Sequence, residues 1–154
     1  MTISTLVRWV PPPVITALTA ALMWLTSSPQ GERWHVMAQL GLALLIAFMG
    51  LVLMVLAART LHQAHTTLLP FNPSQASTLV TQGVFGYSRN PIYVGDGLLL
   101  LAWGIWLGNG VSLLWLLVFI LYMTKVQIKT EEQALTKKFG QPYQQYRQKV
   151  RRWL

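Results

Sequence analysis

Residues 36–58 read VMAQLGLALLIAFMGLVLMVLAA, a run without one charged side chain. An α-helix rises about 1.5 Å per residue and a bilayer's hydrocarbon core is about 30 Å thick, so roughly 20 such residues cross it. This run is long enough to span. Three further segments extend the pattern on either side. Val10–Ser27 opens on Pro11-Pro12-Pro13, and its purely apolar part is short enough to lie at the interface instead. Pro91–Leu107 and Val111–Thr124 flank Gly108-Asn109-Gly110, a connection that suits only a tight antiparallel pair and predicts a helical hairpin in the membrane. The expected fold is an all-α membrane protein of about four transmembrane helices, followed by a cytoplasmic amphipathic helix and tail. One domain is expected over 1–154: N-terminal spans to 58, a connection over 59–90, the hairpin over 91–124 and a polar tail over 125–154.

Composition agrees with this class. Of 154 residues, 53% are hydrophobic and 10% charged, with twelve Lys and Arg against four acids, a net +8. In a soluble chain that excess would point to nucleic acid. Here the cations sit at the ends of apolar runs, as anionic headgroups and the positive-inside bias require, so no nucleic-acid partner is expected. Nearly all of them fall in Arg59–Arg89 and from Lys125 onward, whereas Gly31–His35 is charge-balanced. With four spans, both termini are predicted to be cytoplasmic, together with the long connection. Absence of cysteine excludes a disulfide framework, a thiolate zinc site and a cysteine nucleophile. Thr26-Ser27-Ser28-Pro29 has no small-x-small cleavage pattern, so the first segment reads as a retained anchor behind Arg8.

Polar chemistry collects on that one side. The run Gly83-Val84-Phe85-Gly86-Tyr87-Ser88-Arg89-Asn90-Pro91-Ile92-Tyr93 closes a loop and opens the third helix. Asn90 suits a cap and Pro91 the first helical position, leaving free amides beside Arg89. Either the guanidinium and amides hold an anionic group, or Arg89 marks the cytoplasmic boundary and nothing more. Val94-Gly95-Asp96-Gly97 comes next, with an acid in an apolar run. A carboxylate at mid-bilayer costs about 2.5–3.5 kcal/mol, which makes Asp96 a functional candidate. Its place near a helix start lowers that cost, and the glycines equally suit helix packing.

Glu131 and Glu132 are half of the acids in the chain. At about 100° per residue, Ile128, Leu135 and Phe139 lie within roughly 40° of one another on a straight helix. Glu131 then falls about 60° to one side of that stripe and Glu132 about 40° to the other, with Lys137 opposite. Flanking the apolar stripe predicts that both carboxylates turn toward a pocket; the alternative is an exposed Lys129–Glu132 pair. His62 and His65 have metal-compatible spacing on a helix, but His35 falls on the other side and no third ligand is evident, so no metal site is expected. Tyr143, Tyr146, Arg147, Lys149, Arg151, Arg152 and Trp153 predict an interfacial anchor.

Together these features resemble the isoprenylcysteine carboxyl methyltransferase and phospholipid methyltransferase superfamily, in its small bacterial-type form. Leu79-Val80-Thr81-Gln82-Gly83, then Arg89-Asn90-Pro91-Ile92-Tyr93 and Gly95-Asp96-Gly97, resemble its first signature. Glu131-Glu132, Leu135, Phe139-Gly140, Tyr143, Tyr146 and Arg152-Trp153 resemble its second. The resemblance covers about Thr66 to Leu154, and the order and spacing of the two blocks make it specific. It implies S-adenosylmethionine bound from the cytoplasm by 125–154 and the start of the third helix, and an acceptor entering from the lipid of a bacterial inner membrane. By that resemblance the cofactor-binding residues are His65, Asn90, Pro91, Tyr93, Gly95, Gly97, Glu131 and Glu132, His65 standing before the loop proline, here Pro70. Arg89 and Glu132 are the implied catalytic pair: Arg89 for the cofactor carboxylate or the acceptor, either glutamate for the cofactor ammonium, and Glu132 or water for a proton. Prenylcysteine enzymes resemble one another in having His where this chain has Asn90, a departure that points away from such an acceptor. Carboxylate, amine and thiol acceptors all stay open.

Two other readings compete. Membrane sterol reductases are similar in an Asn-Pro-x-Tyr-type block and a short tail, but an anionic dinucleotide demands more cations than Arg89 beside several acids. A non-enzymatic membrane protein with a degenerate site is the other; against it, every polar position of both blocks keeps a chemically competent side chain.

Overall fold

The computed structural model describes residues 10–27, 36–66 and 77–154; Arg8, His35 and Pro70 lie outside the described residues. It is all helical, with no strand among the described residues. α1 is Pro12–Leu25, α2 Val36–Gln63, α3 Pro91–Leu107 and α4 Gly110–Tyr122. A π-helical turn over Met123–Ile128 leads without a break into α5, Lys129–Phe139, and α6 comes last as Gln141–Lys149. Two helical stretches, Val36–Gln63 and Gly110–Phe139, are long and apolar enough to cross a membrane; Pro12–Leu25 and Pro91–Leu107 are apolar but shorter. α2 runs five residues past the predicted Ala58, carrying Arg59 and His62 beyond its apolar part.

The boundaries reflect local chemistry. Gly108 ends α3 in the left-handed region at φ 64°, where its N–H reaches the carbonyls of Gly104 and Ile105. Asn109 Oδ1 accepts from the Val111 N–H at 2.9 Å and starts α4. α2 closes in a Schellman arrangement: the N–H of His65 donates to His62 O and that of Thr66 to Leu61 O. His65 itself holds the positive φ of 49°.

α3 is the central element. α2 runs antiparallel along it and crosses where Gly50 meets Gly95; a Cβ on either glycine would lie 3.0 Å from the other's carbonyl oxygen. At the far end, Gln39 of α2 donates its side-chain amide to the last-turn carbonyls of Ile105 and Trp106. α1 runs parallel to α3, joined to it by Trp103 Nε1 donating to Ala20 O at 3.1 Å, and α4 returns antiparallel, with Trp115 Nε1 donating to Thr26 Oγ1 at 2.9 Å. Met23, Tyr93, Leu100, Phe119, Met123 and Ile128 fill the core. The outer faces of α2 and α4 leave Leu44, Leu45, Phe48, Leu114 and Leu117 more than half exposed. An apolar surface this large among the described residues suits contact with a membrane.

Candidate active site

The loop before α3, the N-terminal half of α5 and the C-terminal tail meet at one end of the bundle. In the loop, Gly83 takes φ +60° to start a 3-10 turn over Gly83–Gly86. Buried Ser88 accepts the Asn90 N–H at 3.1 Å, which aims Arg89 inward. The tail then lies along the loop. Arg89 N–H donates to Arg151 O at 3.0 Å, Asn90 Nδ2 donates to Arg152 O at 2.8 Å, and Trp153 Nε1 donates to Thr124 Oγ1 at 3.0 Å.

Glu132 is the hub. Arg152 forks onto it, Nε to Oε1 at 2.9 Å and Nη2 to Oε2 at 2.8 Å. Arg89 Nη1 stands 3.0 Å from the same Oε1, with both side chains only 9% exposed. That approach is out of line for a hydrogen bond: Nε and Nη1 of Arg89 are buried without an acceptor. Tyr143 lies beside Arg89; burial, and then the negative charge of Glu132, push its hydroxyl up. Burial also pushes up Tyr146, which donates to Phe85 O at 2.7 Å. Both phenols therefore stay protonated at neutral pH.

Glu131, next along α5, points elsewhere. Its Oε1 accepts from Tyr93 Oη at 2.6 Å and from Gln127 Nε2 at 2.7 Å, while no described residue donates to Oε2. Two adjacent carboxylates thus have opposite surroundings, one between guanidiniums and one between neutral donors.

Several expected residues converge here: Arg89, Asn90, Tyr93, Glu131 and Glu132. Their local roles differ from expectation. Asn90 makes no side-chain cap hydrogen bond and instead ties down the tail. Pro91 is buried at the start of α3, as a first-turn proline should be. Gly95 faces α2, where an added Cβ would come close to Met54 as well as Gly50, whereas an added Cβ on Gly97 meets nothing within 4 Å. Asp96 is buried beside Thr16 of α1, at a contact between helices. His65 is exposed in its cap and, among the described residues, is held through its backbone, with Ser77 Oγ donating to its carbonyl at 2.9 Å. The Lys129–Glu132 pair does not form: Lys129 is exposed and Glu132 is turned inward to the arginines. Nor is the tail a free anchor, since Tyr143 and Tyr146 are buried and Arg152 is bound into the cluster. Arg152, read from the sequence as part of a basic anchor and of the second signature block, is the residue whose pairing with Glu132 the sequence reading missed. Its signal in the sequence was the closing Arg152-Trp153 pair of the second signature block, which named no partner for it.

Among the described residues no group of three or more His, Asp or Glu is placed to hold a metal. The family model described as phospholipid methyltransferase matches residues 38–142. An uncharacterized protein of Haemophilus influenzae is 49% identical over 63 residues, which are 41% of this chain and all of that one. The protein-S-isoprenylcysteine O-methyltransferase of Schizosaccharomyces pombe is 42% identical over 72 residues, 47% of this chain but only 30% of that enzyme's length. No solved structure matches.

Proposed function

The chain belongs to the phospholipid methyltransferase family, and from that premise we propose that it is an integral membrane S-adenosylmethionine-dependent methyltransferase, acting on a lipid or membrane-soluble acceptor at the cytoplasmic end of a four-span bundle. The observation that carries the reading is a complementary pair. Arg89 has two buried donors without acceptors, and Glu131 has a carboxylate oxygen without a donor among the described residues. The amino-acid end of the cofactor carries a carboxylate and an ammonium, which match those two groups in sign and hydrogen-bonding sense.

When bound, the cofactor would supply a methyl group activated by its sulfonium, the electron pair of the carbon–sulfur bond being left on sulfur. The chain's own residues bind, orient and exclude water. Arg89 holds the carboxylate. Glu131, fixed in rotamer by Tyr93 and Gln127, holds the ammonium. Gly97 leaves room beside the helix start. Glu132 is not free to act as a base, because Arg152 engages both of its oxygens. A carboxylate acceptor needs no base, and an amine or thiol acceptor releases its proton to water.

Calorimetry on detergent-purified protein tests the proposal. S-adenosylmethionine and S-adenosylhomocysteine are expected to bind and NADPH is not; binding of NADPH alone would overturn it. Glu131→Gln is expected to weaken S-adenosylmethionine by about 10- to 100-fold, the worth of a charge-assisted contact, with little loss of folded protein.

A further inference from the structure

Arg152 touches neither group assigned to the cofactor, yet the geometry points to it as a positioning residue that keeps Arg89 available for an anionic ligand group. The inference rests on the function proposed for this site, in which that group is the cofactor carboxylate. A buried arginine beside a carboxylate ordinarily closes into a two-bonded fork, which satisfies its donors and leaves nothing for a ligand. Arg89 has not done so. Its Nη1 is 3.0 Å from Glu132 Oε1, but the contact is out of line, and Nε and Nη1 are left without acceptors in a side chain that is nine-tenths buried.

The reason lies on the other side of Glu132. Arg152 already occupies the fork position, reaching both carboxylate oxygens at 2.9 and 2.8 Å. Arg152 cannot drift away, because its carbonyl is held by Asn90, the preceding carbonyl by the Arg89 N–H, and the neighbouring Trp153 indole by Thr124. Glu132 therefore lends Arg89 its charge without taking its donors. Two guanidiniums against Glu132 also leave an excess of positive charge around that carboxylate, which an arriving carboxylate neutralises. Removing Arg152 frees Glu132 to turn and close on Arg89, so the tail controls ligand affinity through a residue the ligand never touches.

The test compares S-adenosylmethionine with its decarboxylated analogue by calorimetry on the full-length protein. Wild type is expected to prefer the carboxylated form. In R152Q that preference should fall about tenfold while affinity for the decarboxylated analogue, which also reports the folded fraction, stays near wild type. R152K, a point charge without the fork, should fall between the two. The deciding variant is the double substitution E132Q/R152Q: with the competing carboxylate gone, Arg89 is free again and the preference should return to within a few-fold of wild type. A tail that was merely loosened would make the double variant no better than R152Q, and that result, or R152Q with wild-type preference, overturns the inference. If wild type binds both ligands equally, this inference falls and the methyltransferase reading stands. If it binds neither, both fall.

Discussion

Tyr93 donates to Glu131 at 2.6 Å from one turn inside α3, and this bond couples the opening of α3 to α5. Tyr93→Phe removes the donor and leaves Glu131 with Gln127 alone. A lost hydrogen bond to a charged group is worth about 1.5–3 kcal/mol, so the variant should bind S-adenosylmethionine roughly tenfold more weakly, read by calorimetry. Its melting temperature should fall only modestly, because the aromatic ring still fills the core. At this scale the sequence disclosed the candidate residues but not whom they meet. The flanking positions of Glu131 and Glu132 on the α5 stripe were legible from helical phase. Their opposite environments were not, because the deciding partners, Tyr93, Arg89 and Arg152, lie 38, 43 and 20 positions away in the chain.

Among the helices, the Gly-x-Gly of α3 separates into two roles. An added Cβ on Gly95 would collide with Met54 Cγ and stand 3.0 Å from Gly50 O, whereas one on Gly97 meets open space. Gly95→Ala is therefore expected to cost about 1–3 kcal/mol of overpacking, seen as a lowered melting temperature in detergent. Gly97→Ala should melt like wild type and weaken only S-adenosylmethionine. Equal melting losses for both would place the packing contact elsewhere. The π turn at Met123–Ile128 is the element that sequence periodicity could not supply. Widening the ladder to i→i+5 shifts the helical phase by about 100° for each inserted residue, so the faces of α5 are not in phase with those of α4. It lets one continuous helix leave the apolar layer and still turn both carboxylates inward.

Across the whole molecule, the loop before α3 and the tail share one end, and Ser27 lies at the opposite end with the Gly108-Asn109-Gly110 turn. The chain has no cysteine, so single-cysteine variants report position cleanly. If the positive-inside orientation holds, an impermeant maleimide should label Arg59→Cys and Lys149→Cys only from the cytoplasmic face, and Ser27→Cys only from the other. Labelling of Ser27→Cys and Lys149→Cys from the same face would remove α1 as a span. The order of residues alone was enough to specify the apolar helices, their turn at Gly108-Asn109-Gly110 and the end of the bundle where polar chemistry gathers. These are sums or repeats over neighbouring residues, and hydrophobic burial and backbone capping act locally. It took the folded chain to select Arg152, out of Arg147, Lys149, Arg151 and Arg152, as the cation that closes on Glu132. Those cations are equivalent in charge and adjacent in sequence. What separates them is which one the backbone clamp at Asn90 brings within 3 Å of a buried carboxylate.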